Sequence, residues 1–130
     1  MANRIDWAAL KQAAMDARKL AYAPYSKFFV GAAVLTEAGN VYTGCNVENA
    51  SFGLTICAER AAIINAVSSG EKEIRAIAVC AHPLAAPCGA CRQFIVEFGS
   101  SIQVVSFDAS APDKSKRWTS EKLLPDRFTL

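Results

Sequence analysis

Cys57 and Glu59 stand two residues apart in Cys57-Ala58-Glu59-Arg60, and Cys88 and Cys91 stand three apart in Pro87-Cys88-Gly89-Ala90-Cys91-Arg92. Thiolates are zinc ligands, and a zinc ion held by three of them keeps a fourth tetrahedral position open. An open position can carry water and do chemistry, whereas a site closed by four protein ligands is structural. A carboxylate beside the open position, here Glu59, can move protons. Two blander readings stand next to this one. A lone C-x-x-C also suits a redox pair, although that normally follows a strand in a thioredoxin-like context. A structural zinc site is also compatible with the spacing, with Cys45 or Cys80 as the fourth ligand.

Positioning these groups requires two helix starts. Each cysteine motif precedes or opens a segment of helical pattern, and unpaired N–H groups and positive potential at a helix N-terminus favour thiolates. Pro87 suits such a start, because its missing N–H costs nothing there. Positions two apart on a helix point roughly 200° from each other. Cys57 and Glu59 can therefore face one ion only if the helix begins at about residue 57.

The remaining elements follow from periodicity and turn residues. Asp6 caps a helix expected to run to about Tyr22, with Trp7, Leu10, Ala14, Ala17 and Ala21 on its apolar stripe. Phe28 to Thr36 reads as a buried strand, Glu37-Ala38-Gly39-Asn40 as a hairpin turn, and Val41 to Glu48 as the antiparallel partner. Gly31 and Gly44 inside these strands indicate close backbone approaches or bulges. Helices are expected over 57–69, 89–98 and 120–124, and strands over 74–81 and 102–107. Residues 108–119 read mostly as loop, with a short strand near 117–119 and the basic cluster Lys114-Ser115-Lys116-Arg117 solvated. A hairpin followed by alternating helix and strand predicts one α/β domain over 1–130, a three-layer α/β/α sandwich around a mixed five-stranded sheet.

Composition narrows the function classes. The 130 residues are 52% apolar, enough for a packed core. The net charge of +2, from 14 basic and 12 acidic residues, is no footprint for nucleic acid. The longest apolar run, 28–35, is too short to span a membrane, and the helical pattern begins at once near Arg4 and Asp6, so no signal peptide is expected. Five cysteines without a secretion signal point to free or metal-bound thiols in a reducing cytoplasm. Three thiolates around one divalent zinc leave a net negative cluster, a weak Lewis acid. Arg60 and Arg92 directly follow the two motifs, and at least one guanidinium is expected to bond to ligand sulfurs and restore that acidity.

Taken together, these residues resemble the small homotetrameric cytidine deaminases. The zinc-deaminase signature is H-x-E followed by P-C-x-x-C, with a non-ligand glutamate as acid and base. Here Cys57-Ala58-Glu59 replaces the first part and Pro87-Cys88-Gly89-Ala90-Cys91 matches the second. The likeness extends over Tyr25-Ser26-Lys27-Phe28, Val30-Gly31-Ala32-Ala33, Gly44-Cys45-Asn46-Val47-Glu48-Asn49-Ala50, Arg92-Gln93 and Leu123-Leu124-Pro125. It implies zinc on Cys57, Cys88 and Cys91, water activated for attack on C4 of cytosine, and Glu59 as the proton carrier. It further implies that the Ala58 N–H holds the pyrimidine O2, that Phe28 packs on the base, and that Asn46 and Glu48 bind ribose hydroxyls. Phe52 and Phe128 would reach a neighbouring subunit's pocket, and the substrates would be free cytidine and deoxycytidine in pyrimidine salvage.

A carboxylate at Glu48 opposes a nearby phosphate, so nucleotides should be poorer substrates. A blasticidin S deaminase shares the cysteine pattern, but the segment from Asn46 to Ala50 favours a ribose binder. Editing enzymes that act on nucleic acids usually carry histidine as the first ligand and need a basic track. His82 is given no role by the pattern and is expected in an exposed loop, with Cys45 and Cys80 as small core residues.

Overall fold

A computed structural model describes residues 4–130. The Asp6 carboxylate accepts from the Ala9 N–H at 3.1 Å and starts α1, Trp7–Arg18. The helix stops short of Tyr22 because the chain leaves it to pair elsewhere: Tyr22 bridges Val47, and its N–H donates to the Asn46 carbonyl at 2.9 Å. β1 (Gly31–Thr36) and β2 (Val41–Cys45) form the expected hairpin, both shorter than their apolar patterns. Beyond Cys45 the chain quits β1, and Val47 pairs with Tyr22 and Ile56. Before Gly31, residues 28–30 bond to the Asn46 side chain, which takes the place of a strand neighbour.

A short 3-10 turn (Phe52–Leu54) leads to α2 (Ala58–Ser68), with Cys57 as its N-cap. Then follow β3 (Ile74–Ala81), α3 (Gly89–Val96, capped by Cys88), β4 (Gln103–Asp108), β5 (Ala111–Thr119) and α4 (Ser120–Leu123). The sheet order is β2-β1-β3-β4-β5. β3 and β4 are parallel, which requires a crossover, and α3 supplies it. The other neighbours are antiparallel, so the sheet is mixed.

Alternate strand residues face opposite layers. Ala33, Ala76, Ala78, Cys80 and Phe107 pack with Leu10 and Ala14 of α1. On the other face, Ala32, Val34, Ile77, Val79 and Val104 pack with Ala58, Ala62, Ile63 and Ala66 of α2, Ile95 of α3 and Leu123 of α4. This is the expected three-layer arrangement.

β5 corrects the reading of residues 108–119 as mostly loop: the strand is nine residues long. Its apolar pattern is weak because it is an edge strand, formed by its ladder with β4. The basic residues are exposed as expected, but on a strand. Arg117 stacks 5.0 Å from the Trp7 ring, and the exposed Lys114 and Lys116 keep the edge from pairing with another chain.

The hairpin is tied to the end of α2 by Glu71. Its carboxylate accepts from the Thr36 hydroxyl at 2.5 Å, the Tyr42 hydroxyl at 2.5 Å and the Asn40 amide at 2.7 Å. These donors, Thr36 first, hold the Glu71 carboxyl below its ordinary value of 4.5. A depressed carboxyl stabilises the fold above the unfolded pKa and loses that contribution as pH falls through the folded one. Urea unfolding of wild type and Glu71→Gln should therefore differ at neutral pH, with wild type more stable. The gap should close below the ordinary value of 4.5; a constant gap would refute the assignment.

Candidate metal and proton-transfer site

The N-termini of α2 and α3 meet at one end of the sheet. Cys57 and Cys88 are their N-caps, each in an extended backbone conformation (ψ 154° and 167°), and neither side chain makes a capping hydrogen bond to the N–H groups of its helix. Both sulfurs are thus free to point at a common centre. Cys91 lies three residues after Cys88, on the same face of α3, and is fully buried. The three sulfurs lie within 4.8 Å of one another, with Cys57 Sγ and Cys88 Sγ 3.8 Å apart. A tetrahedral zinc with Zn–S bonds of ~2.3 Å holds its sulfurs about 3.8 Å apart, so the donor set and its spacing fit zinc.

Neither candidate for a fourth thiol joins the cluster. Cys80 is in the α1-side core, on the other face of the sheet, where burial pushes its thiol up to about 11. Cys45 ends β2 opposite Gly31 and is half-buried.

The Cys57 thiol ionises well below the ordinary thiol value. A hydrogen bond from Cys91 is the main cause, with Arg60 and Cys88 adding to it against the cost of burial, and the thiol falls to about 5. The Cys91 thiol moves up, through that same bond and its burial. Glu59 sits in the first turn of α2, 5% exposed. Burial raises its carboxyl to about 7, and the negative charge of Cys57 adds to the rise. A carboxyl poised near neutrality is suited to both accepting and returning a proton.

The two arginines do different things. Arg60 Nη2 lies 3.5 Å from Cys57 Sγ and 3.3 Å from the Thr55 carbonyl. Arg92 reaches no sulfur: its Nε donates to the Pro87 carbonyl at 2.8 Å and its Nη1 to the Leu123 carbonyl at 3.0 Å. It fastens the chain just before Cys88 to the α4 layer.

Cys57, Cys88, Ala58 and Glu59 open into a recess of about 170 Å³ walled by Phe28, Val30, Asn46, Thr55, Val79 and the alanines 81, 85 and 86. Asn46 is buried and holds one wall in place. Its Nδ2 donates to the Phe28 carbonyl at 2.8 Å, and its Oδ1 accepts from the Val30 N–H at 2.9 Å. An amide oxygen has two lone pairs and its nitrogen two hydrogens, so one of each is left over.

Glu48 lies in an adjoining recess with Tyr25, Ser26, Asn49 and Phe52, and Thr55 borders both. The Glu48 carboxylate accepts from the N–H groups of Tyr25 (3.0 Å) and Ser26 (3.1 Å) and from the Ser26 hydroxyl. The hydroxyl is the main reason its carboxyl falls below the ordinary value. Phe52 is 80% exposed on the rim, and Phe128 is 69% exposed in a separate groove against α3.

Sequence reasoning overlooked Thr55, Val79 and the alanines. Nothing in small apolar residues signals a pocket wall, even where Ala85 and Ala86 directly precede the Pro87-Cys88 motif and Thr55 stands two residues before Cys57.

Two helix starts presenting three thiols, with a buried carboxyl beside them and a pocket in front, define an α/β protein built for metal-assisted hydrolysis. The chain belongs to the cytidine and deoxycytidylate deaminase zinc-binding family, whose zinc-binding region matches residues 6–107. It is 47% identical over 116 residues to a cytidine deaminase of Sporosarcina psychrophila, covering 87% of this chain and 84% of the relative. It is 44% identical over 128 residues to the cytidine deaminase of Mycobacterium tuberculosis, covering 97% and 92%. The crystal structure of cytidine deaminase from Burkholderia pseudomallei superposes with a TM-score of 0.89 at 46% identity, covering 95% of this chain and all (100%) of that one.

Proposed function

We propose that this chain hydrolyses free cytidine and deoxycytidine to uridine and deoxyuridine with release of ammonia, using zinc on Cys57, Cys88 and Cys91. The observation that carries the reading is the buried Glu59 carboxyl beside the thiol cluster, lining a recess of about 170 Å³. Bound zinc would supply a polarised water at near-neutral pH.

Everything else falls to the chain. Glu59 takes a proton from the attacking water and passes it to ring N3. The C4–O bond forms, the C4–N4 bond breaks, and a second proton carried by Glu59 leaves with the amine as ammonia. Ala58 is the first residue of α2, so its N–H has no partner within the helix and suits the pyrimidine O2. Phe28 packs on the base. The spare donor and acceptor of Asn46 and the remaining lone pair of Glu48 meet ribose hydroxyls across Thr55. Arg60 donates to Cys57 Sγ and draws charge off the thiolate cluster, while Arg92 acts at one remove by fixing the chain at Pro87.

Phe52 and Phe128 complete the pocket of a neighbouring copy in a homotetramer, which accounts for two large aromatic side chains left in solvent. The whole of 1–130 acts as one domain in cytoplasmic pyrimidine salvage. Among the described residues no helix is long and apolar enough to cross a membrane.

The test is ammonia release from cytidine, deoxycytidine and CMP, with and without a zinc chelator. Both nucleosides should react and the chelator should stop them. CMP should react at least about fivefold more slowly, since a phosphate near the Glu48 carboxylate costs on the order of 1 kcal/mol or more. Cytidine untouched by the zinc-loaded protein would overturn the proposal.

A further inference from the structure

The recess has one wall with little to hold it. Residues 82–87 connect β3 to the N-cap of α3, and Ala85 and Ala86 from this loop line the recess. Both alanines are exposed, and among the described residues 83–86 make no hydrogen bond. The loop is fastened only at its two ends. At the far end Arg92 grips the Pro87 carbonyl at 2.8 Å. At the near end His82 Nδ1 lies 2.9 Å from Asp108 Oδ1, and this carboxylate is 4% exposed.

Asp108 is itself fixed. It ends β4 opposite Ala81, the last pair of the parallel ladder, and the Ala109 N–H donates to the Ala81 carbonyl at 2.9 Å. Its Oδ1 also accepts from the Ser110 N–H at 2.8 Å and the Ser110 hydroxyl at 2.7 Å. These bonds, the Ser110 hydroxyl first and His82 next, hold the Asp108 carboxyl well below the usual range. The acceptor is thus a carboxylate, and His82 Nδ1 must carry the hydrogen. This is no Ser-His-Asp catalytic triad: the Ser110 hydroxyl lies 3.3 Å from the same nitrogen that faces Asp108, so the ring does not bridge them.

We infer that His82 is a positioning residue for substrate: its bond to Asp108 holds the Ala85–Ala86 wall of the recess against the bound base. The thiols and Glu59 do not depend on it, because Arg92 anchors Cys88 independently and Cys57 and Glu59 belong to α2. A wall that touches substrate equally in the ground and transition states changes KM and leaves kcat alone.

The inference rests on the proposed deamination, and the experiment separates the two. Wild type, His82→Ala, His82→Asn and His82→Gln are compared for zinc content, cytidine kinetics and backbone NMR order parameters of residues 84–86. An asparagine Nδ2 sits where the histidine Nδ1 does, two bonds beyond Cβ, whereas a glutamine nitrogen lies nearer the Nε2 position. His82→Ala should keep its zinc, raise KM about three- to tenfold with kcat within about twofold, and lower the order parameters of the loop. His82→Asn should restore both KM and loop order, and His82→Gln should not. Wild-type KM and loop order in His82→Ala, or an asparagine no better than alanine, would overturn the role of His82. An inactive wild type would overturn the deaminase reading instead, and the order parameters would still decide the anchor.

Discussion

Glu59→Ala should abolish turnover of cytidine and leave zinc bound. The expected fall in kcat is at least about 10²-fold and reaches about 10⁴-fold if the carboxyl carries both proton transfers. The reason lies in the position of the group. It is buried in the lining of the recess, beside the thiols, and burial brings its carboxyl to about 7. A carboxyl exposed to water would stay ionised at neutral pH and would return a proton poorly to a leaving amine. The three sulfurs are held by the starts of α2 and α3, which the substitution does not touch, so metal analysis should still find one zinc per chain. Glu59→Gln is the sharper variant, because it keeps the shape of the side chain and removes only its basicity. Either variant within about tenfold of wild-type kcat would remove Glu59 from proton transfer, since general acid–base catalysis contributes about 10²–10⁴-fold.

Gly31→Ala should destabilise the protein by about 3 kcal/mol or more, a rare size for one methyl group. A Cβ at Gly31 would stand 2.1 Å from the Ala14 carbonyl oxygen and 2.3 Å from the Arg18 nitrogen, both main-chain atoms of α1. No rotamer change relieves contact with backbone. The helix would have to lift from β1, opening the layer where Leu10 and Ala14 pack on Ala33, Ala76 and Ala78. The small side chains of Ala14, Ala33, Ala76 and Ala78 in this layer fit that close approach. Gly53→Ala is the control. Its Cβ would meet nothing within 4 Å, so the change should stay within about 0.5 kcal/mol. Urea midpoints for the two variants provide the comparison. A Gly31→Ala protein as stable as wild type would mean that α1 does not dock so closely on β1.

The reactive centre is legible in the amino-acid sequence alone. The three cysteines and Glu59 are chemically distinctive, and their spacing demands a helix boundary at about residue 57. The boundary is there, because a capping cysteine and a first-turn glutamate can face one ion only at a helix start. The buried strands are legible for a related reason. In 74–81, residues 76–81 are buried on both faces and are apolar throughout, and the one charged residue, Arg75, stands near the start, where the strand is only partly covered.

What only the tertiary structure decided are the features that depend on partners remote in sequence. β5 exists through its ladder with β4, and an edge strand needs no apolar pattern to announce it. β2 ends at Cys45 because Asn46 lends its side chain to residues 28–30 and Val47 finds Tyr22 and Ile56. The separation of the roles of Arg60 and Arg92 depends on where the Leu123 and Pro87 carbonyls fall, which adjacency to a cysteine cannot reveal. His82 reads as a loop residue without a role, and it is indeed exposed, but its partner Asp108 lies 26 positions away. Reactive groups declare themselves by type and local spacing. The walls and anchors that surround them are built from ordinary residues, and their work is set by the neighbours that folding brings to them.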